Sequence, residues 1–385
     1  MSGDPWDFDV LVVGAGPAGA LAARDIARLG SSVLLVDRRV FPRSKVCGAC
    51  FHPRALDELD AAGLGHLVAS IGGRNLEVAS IRARGRELRV ALERPGAVLS
   101  RSAFDMALVA TALEAGAHGM FGAAATLAAC EAGAVARHLR IGELDVRASI
   151  VVAADGLGGA LLARTKELEL PPRRGARIGI GALLPADACD VPVGEVRLAV
   201  AAEGYAGAAR LEDGSIDVAA AVDAHALTRF GAPALIARIV RAAGGPAYAR
   251  LEDAIWRGTV PLARKRGPAA AWRVFAIGDA AGYVEPFSGE GIAWALRGAR
   301  ALAPIAHAAV GRYSPDVREL WQCERARHLD ARQRACARIA ALVRSPLAVS
   351  ILAQAARAAP RLATRGVGRA WGAARATGVP AGARA

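Results

Sequence analysis

Lysine is almost missing from this chain of 385 residues: it occurs only at Lys45, Lys166 and Lys265, so nearly all of the 49 basic residues are arginine. Against 36 acidic residues the formal charge is +13, a balance that would suit a polyanionic partner. The arginines, however, are spread with alanine along the whole chain, and no basic patch is interleaved with aromatics, so nucleic-acid binding is not expected. Cysteine is sparse and unpatterned. Cys47, Cys50, Cys130, Cys189, Cys323 and Cys336 form no regular framework, which argues against a disulfide-stapled secreted domain and for reduced thiols. His66, His118, His138, His225, His307 and His328 lack metal-ligand spacing, and neither a Gly-x-Ser-x-Gly elbow nor a His-Glu-x-x-His helix occurs. A metal site and hydrolase chemistry are therefore not expected. No uncharged run approaches the roughly 20 apolar residues of a bilayer span. The N-terminus carries Asp4, Asp7 and Asp9 where a signal peptide would be basic, so a cytoplasmic location is the expectation.

What is present suffices for two domains, with 54% hydrophobic residues to fill their cores. The first chemistry lies at Asp9-Val-Leu-Val-Val-Gly-Ala-Gly-Pro-Ala-Gly-Ala, a β-branched run followed by Gly14, Gly16 and Gly19. This reads as strand, glycine turn, helix. Gly14 permits the turn, Gly16 lets a pyrophosphate approach the backbone, and Gly19 lets the helix pack on the strand. Pro17 and Ala18 open the helix, whose N-terminus offers free N–H groups and partial positive charge to phosphates. A second strand at 32–36 ends in Asp37 and Arg38, placing a carboxylate at the spacing where a dinucleotide fingerprint binds ribose hydroxyls.

That fingerprint does not separate NAD from FAD. Residues 273–297 do, because a strand at 274–277 delivers Gly278-Asp279, and a Pro/Gly-rich loop then opens another helix near Gly291. Asp279 can hold a sugar-like hydroxyl chain. The loop and helix start can donate backbone N–H groups to the flavin ring edge that gains negative charge on reduction. Two such turns, far apart in sequence, point to one long cofactor clamped twice.

With these residues in view, the chain resembles the FAD-dependent oxidoreductases of the para-hydroxybenzoate hydroxylase superfamily, and more narrowly the geranylgeranyl reductase family. The resemblance runs from about Phe8 to beyond Leu352. It rests on Gly14-Ala15-Gly16-Pro17-Ala18-Gly19, Lys45-Val46-Cys47-Gly48, Arg101-Ser102-Ala103-Phe104-Asp105, Ala154-Asp155-Gly156, and Gly278-Asp279 with Pro286-Phe287-Ser288-Gly289-Glu290-Gly291. It implies an α/β fold: a Rossmann-like FAD-binding domain, a mixed or antiparallel-sheet substrate domain, and a helical C-terminal region. The expected division is 1–168 with 267–320 for FAD, 169–266 for the covering sheet, and 321–385 for the helices. Part of 60–100 is left open to the substrate domain. Implied cofactor contacts are Gly14, Gly16, Pro17, Ala18, Gly19, Asp37, Arg38, Lys45, Cys47, Arg101, Asp155, Gly278, Asp279, Pro286, Gly289, Gly291 and Ile292.

The chain's own texture agrees with that layout. Phe104, Leu108, Thr111 and Leu113 recur at roughly helical spacing, whereas 176–184, 195–201, 205–211 and 216–222 are short alternating runs separated by Pro, Gly and Asp. Glu212-Asp213-Gly214-Ser215 reads as a hairpin turn between two of them.

Cys47-Gly48-Ala49-Cys50 admits several readings. Zinc lacks a second ligand pair. A redox dithiol beside the flavin stays open. So does flavin-proximal packing by Cys47 and Gly48, with Cys47 contributing to protonation and Cys50 filling core. His52 is the one histidine that could reach the site, and His52-Pro53 also reads as a helix cap and first turn. Cys47, Gly48 and His52 are thus the catalytic candidates.

Residues 325–375 alternate arginine with aliphatics and should form helices, with Arg338, Arg344, Arg357, Arg361, Arg365 and Arg369 as a cationic rim. Such helices either pack on the nucleotide domain or lie on an anionic membrane surface. The expected activity is reduction of a C=C bond in a lipophilic isoprenoid-like or polyketide substrate. NAD(P)H or another reductant would supply the electrons. Alternatives are NAD(P)H-dependent hydroxylation of an aromatic or polyketide substrate, and flavin electron transfer.

Overall fold

The computed structural model describes residues 6–131, 133–159, 161–162, 168, 171–263, 267–285, 287 and 289–358. Two eight-stranded sheets organise them.

In the first sheet, strand Trp6–Val13 lies between Val33–Asp37 and Leu144–Ala153, all parallel, and Val274–Ala276 adds in parallel beyond Leu144–Ala153. Val10, Leu11, Val12, Val33, Leu34, Leu35 and Val36 are buried, as continuous apolar strands of a sheet covered on both faces must be. Helix Pro17–Arg28 packs between helices Gly291–Gly311 and Arg101–Glu114. The register decides where chemistry can occur. Val36 pairs with Val13, Val13 with Ala153, and Ala153 with Ala276, so four strands end in one row. Gly14, Asp37, Ala154 and Ile277 therefore leave the sheet side by side, at the carboxyl edge where open α/β sheets bind ligands.

The second sheet runs, in spatial order, Arg257–Pro261, Ile178–Leu184, Ile216–Val222, Gly204–Arg210, Glu195–Ala201, Arg74–Ala83, Arg86–Val98 and Cys50–Phe51. The strands read from alternation at 176–184, 195–201, 205–211 and 216–222 are found here within two residues, and 74–98 joins them as a long hairpin. Alternation splits the sheet's faces. Ile216, Val218, Ala220 and Val222 pack under helix Ala232–Ala243, while Asp217, Ala219 and Ala221 point the opposite way, toward the row of strand ends. The helices Ala224–Phe230 and Ala232–Ala243 interrupt a region read only as sheet. Leu235, Ile236, Ile239, Val240 and Ala243 recur with a helical period, a signal that the surrounding strand texture obscured.

After Gly291–Gly311 come helices Asp316–Arg325, Ala331–Val343 and Pro346–Ala358. Trp321, Cys336, Ala340, Val349 and Ala353 are buried, and Arg86 Nη1 donates to Gln354 Oε1 at 2.7 Å, so one face of these helices packs on the protein. Among the described residues no single helix is long and apolar enough to cross a membrane. Arg361, Arg365 and Arg369 and the side chain of Arg357 lie outside the described residues.

The helix–strand contact at the glycine turn leaves no room for a methyl group. A Cβ on Gly19 would sit 1.8 Å from the Gly14 carbonyl oxygen, whereas one on Gly158 would meet nothing within 4 Å. Gly19→Ala should destabilise the fold by about 3 kcal/mol or more, and Gly158→Ala by well under about 1 kcal/mol. Thermal melting of the two variants side by side checks this.

Candidate functional site

Gly14 takes φ +100°, and a Cβ there would come 2.4 Å from the Ala154 carbonyl oxygen. Its N–H donates to Val36 O at 2.7 Å. Ala15 N–H donates to Asp37 Oδ2 at 2.9 Å and Arg39 N–H to Oδ1 at 2.9 Å, so Asp37 is locked to the turn it was expected to serve. Arg43 Nη2 stands 3.4 Å from both Asp37 Oδ2 and Asp105 Oδ2. Arg101 forks onto Asp105 with two bonds of 2.8 Å. Burial works against the Arg101 charge, but the Asp105 carboxylate and then the Cys47 thiol more than offset it, holding the guanidinium above its ordinary value. A Cβ at Gly16 would lie 3.6 Å from Arg43 and 3.9 Å from Arg101. The open backbone of Gly16, the N-terminus of helix Pro17–Arg28 and two guanidinium groups thus form one anion-seeking cradle.

Arg43 was not singled out from sequence. Arg38, expected as a cofactor contact, is exposed at the end of its strand and lines neither of the cavities described below. No motif marks Arg43; only the folding back of the loop after Asp37 brings it to Gly16.

A second group of residues closes the other side. Gly278–Ala281 is a tight 3-10 turn in which Gly278 takes φ +57°, where a Cβ would lie 2.9 Å from Ala18 Cβ. Lys45 Nζ reaches Asp279 Oδ2 at 3.5 Å and stands 3.5 Å from the Cβ position of Gly156. The lysine thereby ties three motifs that are remote in sequence. Gly289, at φ +73°, precedes Glu290 and the helix start at Gly291. Glu290 is buried and held by Arg332 at 2.9 Å and Arg54 at 3.6 Å, which anchors that helix start.

Between these groups lies a cavity of about 220 Å³. Gly16, Pro17, Ala18, Lys45, Cys47, Gly48, Arg101, Gly278, Asp279, Gly289, Gly291 and Ile292, all expected at the site, line it. Its far wall is the inward face of the second sheet: Val196, Leu198, Tyr205, Gly207, Ala219 and Ala221. Tyr205 meets Phe287 edge-to-face at 5.0 Å, and burial pushes the phenols of Tyr205 and Tyr283 well above their usual range. Below them Arg177 bridges to Glu285 at 3.5 Å, and Arg344 reaches Glu285 at 3.4 Å. Tyr205 and Gly207 lie on the strand that the resemblance sets against the substrate, whereas Val196, Leu198, Ala219 and Ala221 carry no sequence signal, because small and aliphatic side chains in a strand look like ordinary core. A second cavity of about 570 Å³ shares Lys45, Val46, Cys47 and Arg101 with the first.

Other candidates lie elsewhere. Gly14 and Gly19 act through packing rather than by lining either cavity. Asp155 Oδ2 accepts from Leu161 N–H at 3.0 Å, and Gly156, not the Asp155 side chain, faces the cavity. The catalytic reading of His52 needs correction. Its ring accepts from Arg54 N–H at 3.2 Å as the cap of helix Pro53–Ala61, and it lines neither cavity. Cys47 and Cys50 are free thiols. Burial, with Asp217 and Cys47 adding, pushes the Cys50 thiol far up, which opposes the thiolate that dithiol exchange requires. Pro286 and Ser288 lie outside the described residues.

The donor set fits a flavin dinucleotide: a cationic N–H-rich cradle, a carboxylate at each end, and a flat apolar wall beside a helix start. Residues 7–176 match the FAD binding domain family. The chain is 30% identical over 310 residues to a digeranylgeranylglycerophospholipid reductase of Methanoculleus marisnigri, covering 78% of this chain and 76% of that one. It is 40% identical over 123 residues to a menaquinone reductase of Mycobacterium tuberculosis, a match spanning 30% of this chain and only 29% of the relative. The structure of a geranylgeranyl bacteriochlorophyll reductase-like protein from Thermoplasma acidophilum superposes with a TM-score of 0.75 at 22% identity, over 91% of both chains. Fold and site together define an FAD-dependent oxidoreductase. The chain belongs to the geranylgeranyl reductase family.

Arg43 and Arg38 give a direct comparison. Arg43→Ala should weaken FAD binding about tenfold or more, by loss of a charge-assisted contact, and Arg38→Ala should change it less than about twofold. Quenching of flavin fluorescence on titration into apoprotein measures both.

Proposed function

We propose that the protein is a reductase that adds hydrogen across a C=C bond of a lipophilic, isoprenoid-like substrate. Polyketide chains of similar size and polarity form the second substrate class. NAD(P)H or a comparable reductant provides the electrons. Gly16, with Pro17 and Ala18, would receive the pyrophosphate of FAD, while Gly14 and Gly19 allow the close packing that shapes the turn. Asp37 takes the adenosine ribose, and Arg43 and Arg101 balance the phosphate charge. Lys45 and Asp279 hold the ribityl side. Gly289, Gly291 and Ile292 present backbone N–H groups to the ring edge. When bound and reduced, FAD supplies hydride transfer.

What the chain itself contributes beyond binding is exclusion of water and orientation. Gly207, Ala219 and Ala221 occupy sheet positions where larger side chains would fill the space, and they line the cavity together with Cys47 and Gly48. Tyr205 and Phe287 close one end with apolar surface. This small-residue wall facing a nucleotide cradle is the observation that carries the proposal, because it suits a flat ring and an aliphatic chain and offers few polar partners. Leu347, Ile351 and Leu352, exposed on helix Pro346–Ala358, support collection of such a substrate from a membrane surface or hydrophobic carrier.

The test is anaerobic incubation of the FAD-loaded protein with NADPH or dithionite and polyprenyl or menaquinone probes in detergent, followed by product mass. A gain of two hydrogens located in the prenyl chain by fragmentation, and absent without the protein, supports reduction, whereas two hydrogens on the quinone ring alone do not. Incorporation of an oxygen atom into a phenolic probe on admitting air, with no hydrogenation of the polyprenyl compounds, would overturn it in favour of hydroxylation.

A further inference from the structure

Asp217 is a carboxyl in an unusual place. It sits on strand Ile216–Val222 between Ile216 and Val218, whose side chains face the covering helices, so its own side chain faces the nucleotide side with Ala219 and Ala221. It lines the larger cavity of about 570 Å³, opposite Ser44, Lys45, Val46 and Cys47. Its Oδ2 is shielded from solvent and has no hydrogen-bond partner among the described residues. Asp217 is half-buried as a whole, and a carboxylate oxygen shut off from water in this way would normally be paired.

We propose that Asp217 is the acid of the reductive half-reaction, donating its carboxyl proton to the substrate carbon that does not receive hydride, where the two cavities meet beside Cys47. This deepens the reductase reading and rests on it. The step balances. The π electrons of the C=C bond form one new C–H bond with the Asp217 proton. Hydride, supplied through FAD by the external reductant, forms the other. The Asp217 carboxylate left behind regains a proton from solvent entering the larger cavity.

The surroundings favour a proton-bearing carboxyl. Burial alone pushes Asp217 up to about 8. The titratable and charged groups around the same cavity are Lys45, Cys47, Arg101, Arg250, Asp253 and Arg257, with Cys50 beneath it. Two of the cations are already engaged, Arg101 with Asp105 and Lys45 with Asp279, and Arg250 reaches Asp187 at 3.8 Å. None of the described groups forms an ion pair with Asp217. Cys47 lies at the same junction but contacts the Arg101 guanidinium, and Asp253, the other carboxyl lining this cavity, is exposed, which leaves Asp217 as the enclosed acid.

A carboxyl raised in the folded state stabilises the fold fully below its unfolded value near 4, and that contribution is lost as pH rises through about 8. Asp217→Asn keeps the shape and abolishes the titration. Its melting temperature relative to wild type should therefore climb by several degrees between pH 5 and pH 8.5, in apoprotein as well as holoprotein. In single-turnover oxidation of dithionite-reduced holoenzyme by a polyprenyl probe, the wild-type rate should fall above about pH 8. The Asn variant should be slower by about 100-fold and flat across that range, with FAD affinity unchanged. A melting difference independent of pH overturns the protonated carboxyl while leaving the reductase reading intact. A variant that turns over at the wild-type rate overturns the catalytic role. A wild-type protein that binds FAD, shows the melting shift and reduces no probe overturns the reductase reading itself.

Discussion

Everything functional here depends on one steric constraint: four parallel strands must end in the same row with almost no side chains between them. Gly14 lies against Ala154, Gly19 against Gly14, and Gly278 against Ala18, at separations that a β-carbon would violate. That closeness lets Asp279, Lys45 and the two helix starts surround a single narrow space, with Asp37 tied to the glycine turn beside it. The cost is borne by glycines in left-handed conformations, and the large parallel core behind them, including Val10, Leu11, Val12, Val151 and Val152, offsets it by burial.

The charges then divide the work. Arg43 and Arg101 are held by Asp37 and Asp105, so the phosphate cradle is preorganised and its cations are not free to collapse elsewhere. Lys45 and Asp279 pair loosely at 3.5 Å across the cavity. Both groups can turn to a ligand without breaking a short bond. On the opposite wall nearly all charge is removed, and the second sheet presents glycine, alanine and valine. A polar cradle facing an apolar roof suits a cofactor with a charged tail and a flat ring, next to a substrate with little polarity.

The sequence was informative where the backbone itself does the chemistry. Gly14, Gly16, Gly19, Gly278 and Asp279 sit on strand–turn–helix units whose geometry is local, so their placement could be read without a structure. Alternation likewise gave the roof strands, because a half-buried strand must alternate. What escaped detection is set by long-range folding. Arg43 reaches Gly16 only through the path of its loop, Glu285 and Arg177 meet from opposite sides of the chain, and Asp217 looked like an ordinary polar position on a strand. At His52 the cap reading holds and the catalytic one does not: nearness in sequence to Cys47 suggested nearness in space, whereas the ring caps a helix and lines neither cavity.

The central claim is that the turns at Gly16 and Asp279 hold two ends of the same FAD molecule. A crystal structure of the protein soaked or copurified with FAD tests it most directly. The account predicts one FAD per chain, its pyrophosphate at Gly16 and Arg43 and its ribityl chain at Asp279. Folded protein that stays colourless with excess FAD, or FAD bound with its ribityl chain away from Asp279, would contradict it.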